Sequence, residues 1–393
     1  MTRTYFTASW VLTFSLLFGC SAASDADAPS LGGIGDGATS GSRAGAERGS
    51  AAGDPGGPAS TPASTPAGED DVASSSGGGA TGASPMPPKG SGNGAVLPGT
   101  LTAGAWDDNR NFDFFSTYRK TRVDAQLPGL LTIPDGTYQA AHAACSLPPS
   151  AKSTLDISLV IDTTGSMADE IRYLQTEFIT LSNRIFERYP NAEQHWSLVL
   201  YKDVSDSYIV KWFDFRSDPE EFQQKLDLAS ADGGGDFPEA PDQALAKAAL
   251  LGWRSDPSTA RLAFWVADAP HHAENAPALS DAVLELQQRG VHVYPVASSG
   301  IDDFTELTLR SVAQLTGGRY LFLTDDSGVG GAHKEPTVPC YFVTQLDRAI
   351  LRMVDIELSG RYREPAADEV LRTGGDPHDG ACTLESGQVV AIY

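Results

Sequence analysis

Asp162, Thr164 and Ser166 alternate along Asp162-Thr163-Thr164-Gly165-Ser166-Met167. On a loop, that spacing lets one carboxylate and two hydroxyls converge on a single point. All three are hard oxygen donors, the kind that suits Mg²⁺ or a similar divalent ion. Two further stretches can add charge to such a point. Asp268 closes the apolar run Leu262-Ala263-Phe264-Trp265-Val266-Ala267, and Gly233-Gly234-Gly235-Asp236-Phe237-Pro238-Glu239 joins a glycine bend to two acids.

The pattern around these residues alternates between apolar strands and amphipathic helices. Strands are expected at 155–161, 195–201, 208–213, 262–267, 291–296 and 319–323. Helices are expected at 168–188, near 218–229, 238–251, 278–289 and 303–316, and at 341–358. In the first of these helices Ile171, Leu174, Phe178, Leu181 and Ile185 share one face. The strand at 208–213 follows its predecessor after a short loop, which makes it an antiparallel edge strand. The fold class that follows is α/β: a doubly wound, mostly parallel six-stranded sheet with helices on both faces. Ligands of such sheets bind beyond the carboxyl ends of the strands, where Asp162 and Asp268 stand.

Residues 153–358 resemble a von Willebrand factor type A domain. Asp162-x-Thr164-x-Ser166 is similar to its metal-ion-dependent adhesion site, and Asp268 matches the acid after the fourth strand. Gly-Gly-Gly-Asp-Phe-Pro-Glu and Val266-Ala267-Asp268-Ala269-Pro270 resemble the hemicentin-like subgroup and its bacterial relatives. The resemblance implies a divalent cation, Mg²⁺ or else Mn²⁺ or Ca²⁺. Thr164 and Ser166 would bind it directly and Asp162 and Asp268 mainly through water, with one position open for an acidic residue of a partner protein. Integrin-like members place a Thr in the third loop, where this chain has Asp236. Asp236 is read both as a metal ligand and as the helix N-cap of a capping box with Glu239; the two readings stay open together. Glu239 is read as capping. A third carboxylate at the ion would weaken its pull on an acidic partner group.

Other groups have plainer readings. His271-His272 is taken as a surface loop on the rim rather than a zinc site, because adjacent histidines point apart. Asp203, Asp206, Asp325 and Asp326 are turn acids that make the same face negative, which disfavours an acidic ligand surface and favours a basic rim around it. No Gly-x-Ser-x-Gly elbow, Walker loop or His-Glu-x-x-His is present, so an enzyme is not expected.

The chain has 393 residues and a net charge of −23, which argues against nucleic acid or an anionic lipid surface as the main partner. Arg3, the apolar run 10–18 and Gly19-Cys20 read as an export signal. Leu17-Phe18-Gly19-Cys20 resembles the bacterial lipobox, whose Cys becomes the lipidated N-terminus. Ser21 beside it implies the outer membrane. Residues 20–100 read as a Gly/Ser/Ala/Pro-rich tether that cannot build a core. Residues 101–152 are expected to pack on the domain edge as a leader, with Thr132–Tyr138 as a turn between short strands, and 359–393 form a C-terminal tail. Among Cys145, Cys340 and Cys382, one disulfide is expected in an oxidising compartment. Cys340–Cys382 is preferred, Cys145–Cys340 is the alternative, and Cys340 is placed at the metal-site end of the sheet. The function expected is a lipid-anchored envelope protein binding an unidentified protein or surface partner through the metal site. The alternative is a scaffold in envelope or secretion-complex assembly.

Overall fold

The computed structural model describes residues 97–145, 150–235 and 237–392. The export signal, Cys20, most of the tether and Asp236 lie outside the described residues. In chain order the elements are β1 (Thr102–Trp106), α1 (Phe112–Asp124), α2 (Asp135–Cys145), β2 (Thr154–Asp162), α3 (Ala168–Arg188), β3 (Glu193–Tyr201), β4 (Val210–Arg216), α4 (Pro219–Leu226) and α5 (Pro241–Ala249). They continue with β5 (Thr259–Ala267), α6 (Ala276–Gln288), β6 (His292–Ala297), α7 (Asp303–Thr316), β7 (Tyr320–Leu323), β8 (Tyr341–Gln345), α8 (Leu346–Ser359), β9 (Arg372–Gly374), β10 (Ala381–Thr383) and β11 (Val389–Ala391).

The main sheet runs β4-β3-β2-β5-β6-β7-β1-β8-β9. Its first six strands are those expected from the sequence, parallel except for the antiparallel edge strand β4. Each parallel strand is buried on both faces, which is why β2 and β5 read as near-continuous apolar runs. One face is covered by α3, α4 and α8, through Ile171, Phe178, Phe222 and Val354 among others. The other is covered by α1, α2, α5, α6 and α7, through Phe115, Tyr138, Leu245, Val283 and Val312.

Three strands extend the sheet beyond expectation. The leader does not sit on the edge: β1 lies inside the sheet, antiparallel to β7 and to β8. Its small residues are required there, because a side chain at Gly104 would sit 2.2 Å from the Phe322 ring. Residues 341–345 are strand rather than the first turn of the last helix. The expected turn at 132–138 instead leads into α2, whose Tyr138 and Ala141 are buried. Cys340 and Cys382 are joined, with Cα atoms 6.3 Å apart. Cys340 precedes β8 at the end of the sheet opposite Asp162, not at the metal-site end, because β8 runs in the same direction as β7.

Glu177 on α3 fastens the start of β1. Its Oε1 accepts from the backbone N–H groups of Thr100 (3.1 Å) and Leu101 (3.2 Å). Burial, with a smaller push from Asp347, raises its pKa from the usual 4.5 to about 7. The folded chain therefore keeps a proton that the unfolded chain releases. Glu177's contribution to stability is complete below about pH 4.5 and is lost as pH rises through about 7. Glu177→Gln keeps the acceptor oxygen and removes the charge. We expect it to raise the unfolding free energy by about 1–3 kcal/mol at pH 8 and by much less at pH 5. Urea unfolding at the two pH values measures this, and equal effects at both would refute it.

Candidate metal centre

The carboxyl ends of β2 and β5 place Asp162 and Asp268 side by side, because these strands are hydrogen-bonded neighbours. Both residues are buried, at 0% and 1% exposure. Asp162 Oδ1 accepts from the Thr164 backbone N–H (2.9 Å) and from Thr164 Oγ1 (2.8 Å), which folds the loop back on the strand end. The Ser166 hydroxyl lies near the Asp268 carboxylate and opposes the rise in its pKa. Asp162, Thr164, Ser166 and Asp268 are thus brought together.

The glycine loop closes over them. Gly165 N–H donates to Gly233 O (3.1 Å) and Asp232 N–H to Thr163 O (3.2 Å). Gly233 and Gly234 have φ of +70° and +61°, where a side chain would be strained. Asp206 receives the Gly234 N–H at 3.1 and 3.2 Å and holds this turn. A Cβ on Gly234 would lie 2.8 Å from Thr164 Cβ and 3.2 Å from Glu239 Oε1. Lys202, buried beneath, donates to the carbonyls of Thr163 and Asp232 and pairs with the Asp232 carboxylate at 3.0 Å.

Glu239 is the residue the sequence reading misassigned. It does not cap a helix: α5 begins two residues later, with Pro241 in its first turn and Ala240 before it. Glu239 instead lies along the loop after β5, its N–H donating to Pro270 O (2.9 Å) and its backbone bridged to His271. It is 2% exposed. Pro241 was the available signal: a proline marks the first helical position, which leaves Glu239 outside the helix.

The carboxylate oxygens Asp162 Oδ2, Asp268 Oδ1 and Glu239 Oε2 are buried and unpartnered, as is Oε2 of Glu170, whose charge acts on Asp268. Among the described residues none of Asp162, Asp268 and Glu239 is in an ion pair. The electrostatic consequence is large. Burial and the neighbouring Asp268 push Asp162 up to about 7. Burial lifts Asp268 to about 6, with Glu170 adding to the rise. Glu239 reaches about 9 through burial and then the charges of Asp162, Asp203, Asp206 and Asp268. Among the described residues no three His, Cys, Asp or Glu groups come close enough to enclose an ion by themselves. A cation here would need the two hydroxyls and water as well.

The two histidines do diverge, but not onto a free loop. His271 is buried; its Nε2 meets Gly129 O at 2.8 Å and its ring lies against Phe304. His272 pairs with Asp203 at 2.6 Å on the rim. Asp325 binds His333 and Asp326 binds Arg372, away from the centre.

Residues 156–325 match the sequence model of the von Willebrand factor A domain. The chain carries a von Willebrand factor A domain. Such domains are in general protein-interaction modules. A putative ariadne-like RING finger protein, R811 of Acanthamoeba polyphaga mimivirus, is 26% identical over 190 residues, which is 44% of this chain. The match spans 18% of that protein's length. Among solved structures, the conserved hypothetical protein BatB from Bacteroides thetaiotaomicron aligns with 52% of this chain and 99% of its own, at 11% identity and a TM-score of 0.36.

Proposed function

We propose that the von Willebrand factor A domain binds a protein partner through a divalent ion, Mg²⁺ or else Mn²⁺ or Ca²⁺. Asp162, Thr164, Ser166, Asp268 and Glu239 would hold it. The observation that carries this reading is the set of buried, unpartnered oxygens on Asp162, Asp268 and Glu239. A buried carboxylate with no partner is costly, and one cation would compensate all three. When bound, the ion supplies a Lewis-acidic point that a partner oxygen can ligate. Asp162 and Asp268 supply charge, the hydroxyls of Thr164 and Ser166 supply neutral donors, and the exposed Gly165 and Ser166 leave a side from which a partner can reach the ion. Glu239 joins the ligands expected from the sequence; Asp236, also expected there, lies outside the described residues and stays part of the proposed set. Calorimetric titration of Mg²⁺ and Mn²⁺ into the chain tests the proposal. Saturable binding supports it, and no heat with either ion overturns it.

We further propose that lipid on Cys20 anchors the protein in the cell envelope, at the outer membrane, with residues 20–100 as tether. The support is the lipobox-like Leu17-Phe18-Gly19-Cys20. Cys20→Ser should move the protein from the membrane fraction to the soluble one; retention of the variant in the membrane would sink the anchor.

A further inference from the structure

The four loops that frame the metal centre are 163–170, 202–209, 227–240 and 268–275. Together they carry ten Asp and Glu residues, one Lys and no Arg. The one Lys offsets a single one of these acids, Asp232. Lys202 is fully buried, and its ammonium is used by the carbonyls of Thr163 and Asp232 and by the Asp232 carboxylate. His271 is spent on Gly129 O inside the fold. His272 is engaged with Asp203.

Resting on the metal-dependent reading above, the count at the centre goes further. Asp162, Asp268 and Glu239 bring three carboxylates to a site that one divalent ion would fill, and each has a buried oxygen with no other partner. The ion's charge is therefore already exceeded before Asp203 and Asp206 around it are counted, Asp232 being paired with Lys202. A partner carboxylate approaching this face would meet like charge from each of the four loops, and charges within about 8 Å are little screened in physiological salt.

We infer that the face docks on a basic surface, with Lys or Arg side chains of the partner meeting Asp203, Asp206 and Asp232 around the ion. This reverses the acidic ligand that the family resemblance implies.

The test uses the full chain in saturating Mg²⁺ and two fluorescent peptides of equal length, one of Lys-Ser-Gly repeats and one of Glu-Ser-Gly repeats, read by anisotropy. The Lys peptide should bind at least about tenfold more tightly than the Glu peptide. Asp203→Asn with Asp232→Asn should weaken the Lys peptide by about tenfold or more. Glu187→Gln with Asp281→Asn removes the same net charge from exposed helix positions and should change it little. Tighter binding of the Glu peptide, binding of neither, or equal losses in the two double variants would overturn the inference. Mn²⁺ titration separates the two readings. Intact Mn²⁺ binding with no rim dependence removes only the basic-partner inference. Absent Mn²⁺ binding removes the metal reading, and the peptide comparison still decides the charge of the partner.

Discussion

Arg310→Ala is expected to lower the unfolding free energy by about 3–5 kcal/mol, a fall of about 10 °C in melting temperature for a domain of this size. Arg310 is fully buried on α7. Its guanidinium gives Nη2 to Asp108 Oδ1 (2.7 Å), Nε to Asp108 Oδ2 (3.0 Å) and Nη1 to Glu306 Oε1 (3.2 Å) and Thr337 O (3.0 Å). It also lies 4.2 Å over the Tyr118 ring. Removing it leaves Asp108 buried without its countercharge. Burial already pushes the Asp108 pKa up and Arg310 opposes that push, so the orphaned acid would be driven further toward its neutral form. Asp108→Asn in the Arg310→Ala background should recover part of the loss, since the uncompensated charge goes with it. Chemical denaturation of the two single variants and the double variant gives the coupling. Additive losses would mean that Arg310 acts through packing alone.

The second large effect is on the ion. Asp162→Ala should abolish Mg²⁺ and Mn²⁺ binding while leaving the sheet intact, because β2 is held to β3 and β5 through its backbone. An ion at one hundred times its dissociation constant stabilises a binding-competent fold by about 2.7 kcal/mol. The wild-type melting temperature should therefore rise by about 5–10 °C with Mn²⁺, and that of Asp162→Ala should not move. Without metal, the raised pKa of Asp162 means that its contribution to stability is lost as pH rises from about 3.8 to about 7. The variant lacks this loss, so without metal at pH 8 it should be no less stable than wild type. A melting shift in Asp162→Ala equal to that of wild type would place the ion elsewhere.

What was legible in the sequence follows from physical pattern. The runs at 155–161 and 262–267 are strands buried on both faces, so they read as mainly apolar segments, interrupted in the first by Asp156 and Ser158, and each is followed by an acid, Asp162 and Asp268. The helix at 168–188 was legible because its apolar face repeats without interruption. β1 was not, because Thr-Ala-Gly-Ala-Trp has little strand propensity; it is small because it must pass beneath Phe322. Tyr341–Gln345 was absorbed into the following helix, although two aromatics, a Val and a Thr are strand residues. Three of the candidate ligands sit on one short motif and a fourth closes an obvious strand. Glu239 was misassigned because its role depends on a loop-to-loop contact with Pro270, which no local spacing encodes.

The placement of β1 also decides how the molecule bears load. Tension arriving at residue 97 enters β1 at its Thr102 end, beside Leu323 and Gln345. The strand is paired on both sides, so a pull along its axis shears two rows of hydrogen bonds together instead of unzipping one. Thr324 N–H to Thr102 O (3.0 Å) and Leu346 N–H to Leu101 O (2.8 Å) add grips at the point of entry. That point lies at the same end of the sheet as Asp162 and Asp268. A force between the N-terminal side of the chain and a bound partner would thus cross the strand ends from β1 through β7, β6 and β5 to β2, leaving the disulfide at the opposite end out of the load path.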